Sequence, residues 1–164
     1  VTAGFKSMPL RFEKPRRYVV EVAFPLAHFK GDLSRSTVSY DTRREIIVRP
    51  RDESWLLDKC ESLTSTVLTA ESWTLRDDAA KALSYIEDPI AVPFLERVYR
   101  DGHMFVRTHA LQGLARIGNR GAVRVLISAL DDPLEAPYAE GLLESIYRRT
   151  DDPSLRYEID DALD

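Results

Sequence analysis

Three histidines, four aspartate pairs, one cysteine and a recurring arginine are the residues in this chain whose chemistry could be put to use. His103 and His109 stand six apart, not at the i, i+4 spacing that puts two ligands on one helix face. His28 is remote from both. A zinc site needs three or four converging ligands, and this set does not supply them, so no metal and no cofactor are expected. The acid pairs are Asp77-Asp78, Asp131-Asp132, Asp151-Asp152 and Asp160-Asp161. Paired carboxylates can do acid–base work when a cleft drives their pKa values apart. Three of these pairs fall at helix beginnings or in turns, where Asp caps free backbone N–H groups. The capping reading is the one carried forward, and no catalytic set is assigned.

Cys60 has no His or Asn motif around it and sits on an apolar stripe. It reads as a small buried hydrophobe rather than a nucleophile. No Gly-rich phosphate loop and no Gly-x-Ser-x-Gly elbow occurs. Arg76 and Arg107 recur in register. A repeated Arg can line a groove and grip a carboxylate or phosphate with two hydrogen bonds. It can also tie each repeat to a turn acid of its neighbour, here Asp101 and Asp132. Recurrence favours this ladder, because a packing role repeats with the fold.

Charge separates the chain into two parts. Residues 1–51 carry 11 Lys/Arg against 5 Asp/Glu, which is +6, and residues 52–164 carry 12 against 22, which is −10. The basic residues of the first part gather at Lys14, Arg16, Arg17, Arg43, Arg44, Arg49 and Arg51. A basic patch can serve nucleic acid or anionic lipid. The acidic remainder repels phosphate, so solvated strand faces are the expected account and no nucleic-acid partner is predicted. No apolar run approaches the length of a membrane span.

The elements that would position these residues come from one unit written twice. A shift of 31 residues sets Arg76 on Arg107, Ala79 on Ala110, Leu83 on Leu114 and Ile86 on Ile117. It also sets Ala91 on Ala122, Leu95 on Leu126 and Asp101 on Asp132. In the second copy Val106, Ala110, Leu111, Leu114 and Ile117 make one helical stripe. Gly118-Asn119-Arg120-Gly121 breaks it. Ala122, Val123, Leu126, Ile127 and Leu130 make a second stripe, closed by Asp131-Asp132-Pro133. Each unit is therefore two short antiparallel helices that must stack on neighbours to bury both apolar faces. A third copy, with Ala139, Leu143 and Ile146, has a shifted register and adds Glu140 and Glu144. An atypical end repeat is expected where one face lacks a neighbour.

Val106-Arg107-Thr-His-Ala110-Leu-Gln-Gly-Leu114-Ala-Arg-Ile117-Gly118, followed by Ala122-Val-Arg-Val-Leu126, resembles the short HEAT-like repeat of bacterial proteins, a type also found in phycobilin lyases. The likeness covers residues 72–164. This unit is shorter than the usual HEAT period of about 40–47 residues.

Residues 1–51 read as β. Tyr18 to Phe24 is rich in Val and aromatics between Pro15 and Pro25, and Thr37–Tyr40 and Glu45–Val48 are two further strand candidates. Lys14–Arg17 reads as a turn and Pro25–Ser36 as a loop. Leu10-Arg-Phe-Glu-Lys-Pro15-Arg-Arg-Tyr18-Val-Val-Glu-Val22 resembles the late strands of bacterial immunoglobulin-like sandwiches, with Arg16 where glycine is usual. The layout resembles a bacterial one: a sandwich, one connecting helix, then HEAT-like repeats. It implies missing early strands before Val1, a fragment or processed form of a longer protein, and an exported one. Residues 52–70 are the connecting helix, with Asp52 as cap, a stripe of Trp55, Leu56, Cys60, Leu63 and Val67, and a Ser/Thr-rich end expected to fray. Trp55 is expected to pack against the sheet.

The expected fold is mostly α: an α-solenoid of three HEAT-like helical hairpins (71–102, 103–133, 134–164) with a small antiparallel β region at the N-terminus. The expected function is non-catalytic protein–protein interaction or scaffolding. The alternatives are an enzyme or accessory of the chromophore-lyase type, on the resemblance alone, and a structural spacer in a larger exported protein. The second helix of each pair should line the concave face, which singles out Arg97, Arg100, Arg124 and Ser128 as binding residues for a protein partner.

Overall fold

The computed structural model describes residues 16–25 and 39–48 as backbone and residues 50–164 in full. The chain divides into two compact units, Val1–Asp52 and Glu53–Asp164.

In the first unit β1 (Arg16–Pro25) pairs antiparallel with β2 (Ser39–Val48), from Arg16 opposite Val48 to Pro25 opposite Ser39. The sequence predicts two strands where β2 is one. Asp41 and Thr42, which lie between the two candidates, stand inside β2 opposite Ala23 and Val22. Pairing with a Val-rich partner overrides the weak strand preference of Asp. Arg16 and Arg17, expected in a turn, belong to β1. The Leu10–Phe12 part of the sandwich-like string, the loop expected up to Ser36, His28 and the side chains of the basic cluster from Lys14 to Arg49 lie outside the described residues.

The second unit is helical. α1 (Glu53–Thr69), α2 (Trp73–Ser84), α3 (Val92–Asp101), α4 (Met104–Ile117), α5 (Arg120–Ser128), α6 (Ala136–Arg149) and α7 (Pro153–Leu163) follow one another through short turns. Local chemistry sets the stops. Gly118 ends α4 with φ 60°, the left-handed conformation that glycine adopts without strain. Asn119 then starts α5, its side chain accepting from the Ala122 N–H at 2.8 Å. Asp152 starts α7 by accepting from the Ser154 and Leu155 N–H groups at 2.9 and 3.3 Å. Those bonds, led by the one from the Ser154 hydroxyl, hold its carboxyl below the usual range. Pro93, Pro137 and Pro153 all fall in first turns, where a missing N–H costs nothing. The expected fraying of α1 does not occur. The helix runs to Thr69, and the Thr66 and Thr69 hydroxyls donate back to the Ser62 and Ser65 carbonyls at 2.9 and 2.8 Å.

The helices form two layers. α2, α4 and α6 pack in sequence as one, and α1, α3, α5 and α7 as the other. α1 therefore packs on α2 and α3 as α3 packs on α4 and α5: it supplies a second-layer helix with its own buried face. Cys60 and Thr64 are fully buried on that face and Val67 is 2% exposed. Trp55 is 58% exposed. Leu83, Leu95, Leu114 and Leu126 are all fully buried and share one continuous core. Burial of each such Leu is worth about 1.5–3 kcal/mol. On α6, Glu140 and Glu144 are exposed, whereas Leu111 and Ala115, 29 residues earlier on α4, are buried. The α6 positions equivalent to these two buried α4 positions are thus charged and exposed.

Gly113 fixes how closely the layers meet. A Cβ there would lie 2.9 Å from Ser84 Cα on α2 and 2.9 Å from Leu95 Cδ2 on α3. The Ser84 neighbour is backbone and cannot rotate away. Gly113→Ala is expected to destabilise the helical unit by about 1–3 kcal/mol through overpacking. Thermal unfolding followed by circular dichroism measures it, and an unchanged midpoint would show that the layers can part without cost.

Candidate interaction surface

Stacking leaves the outward rows of the second-layer helices in water. α3 places Arg97 and Arg100 there, and α5 places Arg120, Arg124 and Ser128. All five are exposed. The sequence singles out four of them; Arg120, in the first turn of α5, is added by the structure. Acids flank this basic row. Arg97 lies 4.0 Å from Glu61 of α1 and 3.9 Å from Asp101 of its own helix. Arg100 pairs with Glu96. Arg120 and Arg124 both reach Glu158 of α7 at 3.4 Å, and Arg120 also bonds Ser154. These pairs stand in solvent, where each is worth about 0–1 kcal/mol. A partner carboxylate can take the place of such an acid at little cost. Ser128 differs: its hydroxyl donates to the Val125 carbonyl at 2.7 Å, so only its lone pairs face outward.

Arg76 and Arg107 do something else. Arg76 Nε donates to the Ala70 carbonyl, just past the end of α1. Arg107 Nε donates to the Gly102 carbonyl, just past the end of α3, at 3.1 Å. In each case the Arg satisfies a helix-end carbonyl that has no partner within its helix. Arg76 also lies over the Trp73 ring at 5.2 Å and Arg107 over Tyr99 at 6.0 Å. Of the two acids named with them, Asp132 lies 3.7 Å from Arg107, while Asp101 is met by Arg97. The shared element is thus the bond to the preceding turn.

A second arginine pair was not singled out from the sequence. Arg116, near the end of α4, donates to the Ser84 carbonyl at 2.9 Å and to its hydroxyl at 3.0 Å, at the end of α2. Arg149, at the end of α6, donates to the Ala115 carbonyl of α4 at 2.7 Å. Each cation sits at the negative end of two helix dipoles. The legible signal was a basic residue in the last turn of both helices. His109 Nε2 to Asp77 Oδ1, 3.0 Å, ties α4 to α2, and Gln112 to the Tyr138 hydroxyl, 2.6 Å, ties α4 to α6. His103 instead packs edge-on to Trp73 at 4.6 Å. Burial raises the Cys60 thiol pKa, with help from Asp88, which keeps it protonated and inert. Among the described residues no group of three or more His, Cys, Asp or Glu could hold a metal ion, and no helix is long and apolar enough to cross a membrane. A shallow cleft of about 300 Å³ between α6 and α7 is lined by Glu144, Tyr147, Arg148, Asp160 and Leu163.

The family model for HEAT repeats matches residues 61–146, more than half of the chain. The chain belongs to the HEAT repeat family. The match opens inside α1 and ends in α6, so it takes in the second half of α1 and leaves α7 outside. No curated protein matches this HEAT repeat chain.

The turn before α6 holds the unit's one strongly buried acid among the described residues. Glu135 is 8% exposed. Burial first, then Asp132, raises its pKa, and Arg107 only partly offsets them. With the folded value raised, the folded state holds the proton more tightly than the unfolded chain. Stability from this group is then full at low pH and declines as pH climbs through the folded value. Glu135→Gln is expected to remove that decline and to raise the neutral-pH melting temperature relative to acid pH. Paired melts from pH 4 to 8, a range of about four units around the carboxylate values, check this; parallel profiles for the two proteins would contradict it.

The two classes of arginine also separate by experiment. Arg116→Ala removes a half-buried guanidinium from a buried helix end and is expected to cost about 1–3 kcal/mol. Arg97→Ala breaks only exposed pairs and is expected to cost under about 1 kcal/mol. Urea unfolding of the two variants checks the order, and equal losses would merge the classes.

Proposed function

We propose that this chain is a non-catalytic scaffolding module that binds an acidic segment of a protein partner along the outer row of α3 and α5. The observation that carries the reading is the set of four exposed arginines, Arg97, Arg100, Arg120 and Arg124, on two neighbouring second-layer helices of a chain with net charge −4. A local basic row in an acidic molecule steers carboxylates to one place. Arginine suits the task, because its planar fork meets a carboxylate with two hydrogen bonds. Membership of the HEAT family supports the class of activity, since stacked helical pairs present extended surfaces to partners. On this reading the row lies on the concave side, and the repeats run 71–102, 103–133 and 134–164.

We further infer that residues 1–51 are the closing strands of an immunoglobulin-like sandwich from a longer bacterial protein. The Leu10 to Val22 string supports this, as does the antiparallel pairing of β1 with β2.

A labelled octaglutamate peptide is a direct probe of the arginine row. Binding should weaken steeply with salt, and the Arg97→Ala, Arg100→Ala, Arg120→Ala, Arg124→Ala quadruple variant should bind at least about tenfold more weakly, as expected when several charge-assisted bonds are lost. Fluorescence anisotropy reads this out. Equal affinity of wild type and quadruple variant, with the variant's fold intact by circular dichroism, would remove the row from the binding surface.

A further inference from the structure

Exposed rings gather where two helices of one layer begin. Trp73 opens α2, and His103 and Phe105 flank the first residue of α4, Met104. The Trp73 and His103 ring centres lie 4.6 Å apart, His103 and Phe105 stack at 5.4 Å, and Trp73 meets Phe105 at 6.4 Å with the ring planes at 89°. None of these side chains belongs to the core: Trp73 is 50% exposed, Phe105 65% and Met104 55%. An apolar residue alone on a surface needs no explanation, but large ones in mutual contact mark a place that meets something.

Arg76 says what that something carries. Its guanidinium lies over the Trp73 ring at 5.2 Å. In the next repeat the equivalent Arg107 is met by Asp132 at 3.7 Å. The acid in the same register one unit earlier is Asp101, but Asp101 faces Arg97 at 3.9 Å, and among the described residues no acid pairs with Arg76. Its Nε serves the Ala70 carbonyl. Its two terminal nitrogens bond nothing among the described residues, and solvent reaches them, since the one buried side-chain polar atom without a partner there is Thr64 Oγ1. The repeat thus leaves a half-buried cation with an open fork beside an aromatic patch. Such a fork takes a carboxylate with two hydrogen bonds.

We propose that Trp73, Arg76, His103, Met104 and Phe105 form a docking point for a polypeptide segment in which a Glu or Asp is flanked by large apolar side chains. The carboxylate meets the two terminal nitrogens of Arg76, and the apolar side chains cover Trp73, Met104 and Phe105. Rings set at right angles offer an incoming ring both an edge and a face, and the flexible thioether of Met104 adapts to its shape. Apolar cover also excludes water from the ion pair, which strengthens it. Nucleic acid would satisfy rings and an arginine too. Residues 52–164, however, carry 12 Lys/Arg against 22 Asp/Glu, so one open cation there suits one carboxylate rather than a chain of phosphates. The point lies at the starts of α2 and α4, apart from the outward row of α3 and α5, and stands whether or not that row binds acidic segments.

The test is an NMR titration of the full chain with acetyl-Ser-Phe-Glu-Phe-Ser-amide, read at the Trp73 indole N–H and the Arg76 Nε–H. Arg76 also holds the Ala70 carbonyl, so its charge is probed from the peptide side. The Gln analogue should bind at least about tenfold more weakly, the scale of a lost charge-assisted hydrogen bond. The analogue with Gly in place of both Phe keeps the carboxylate and should also bind about tenfold more weakly, because it has no rings to pack. Phe105→Ala removes an exposed ring outside the core and should weaken the parent peptide at least about threefold. The quadruple variant of the arginine row should bind the parent peptide as wild type does, which separates this point from the row; weaker binding by that variant would place the peptide on the row and overturn the proposal. Equal affinity for the parent peptide and either analogue would overturn it too. So would unchanged binding by the folded Phe105→Ala variant, signals of Trp73 and Arg76 that do not move, or tighter binding of oligothymidylate than of the parent peptide.

Discussion

Lateral stacking of short helices across two layers is the constraint on which everything else in the helical unit rests. α5 spans nine residues and α3 ten, too short to be stable alone in water. Each gains its stability from what lies beside it. Leu83 and Leu114 in one layer, and Leu95 and Leu126 in the other, meet in one interior. No hairpin could bury both of its apolar faces by folding on itself. The small residues follow from this. Ala79 and Ala110 are buried at equivalent positions, and Gly113 brings α4 within contact of both α2 and α3.

Close stacking also sorts the arginines. Where a guanidinium is caught between helix ends, as at Arg116 and Arg149, it closes carbonyls that the helix leaves open. Where it stands on an outward row, as at Arg97, Arg100, Arg120 and Arg124, water screens its partners and its charge stays available. The same side chain thus serves the fold in one place and recognition in the other. Burial decides which.

α1 shows how far the same rule reaches. Its Ser- and Thr-rich end would be a weak helix by propensity. Packing on α2 and α3 holds it, at the cost of a fully buried Thr64 hydroxyl without a hydrogen-bond partner. A polar atom left unpaired in a core weakens it. Its presence fits a helix whose place is set by the stack rather than by its own composition.

The chain by itself determined the repeat, the helical hairpins and most of the core, because these follow from spacing. Ala79, Leu83, Leu95 and their counterparts 31 residues on are apolar at helical intervals, and Gly118-Asn119 and Asp152-Pro153 carry their stops locally. The outward placement of Arg97, Arg100 and Arg124 was legible for the same reason: a residue off the apolar stripe of an amphipathic helix faces water. Tertiary structure alone decided the rest. Arg116 finds Ser84, Arg149 finds Ala115, and Asp132 meets Arg107 only after distant segments are stacked. The layer that α1 joins is likewise a property of its neighbours. Periodicity tells which side of a helix is buried; what that side touches depends on the energy of the whole assembly.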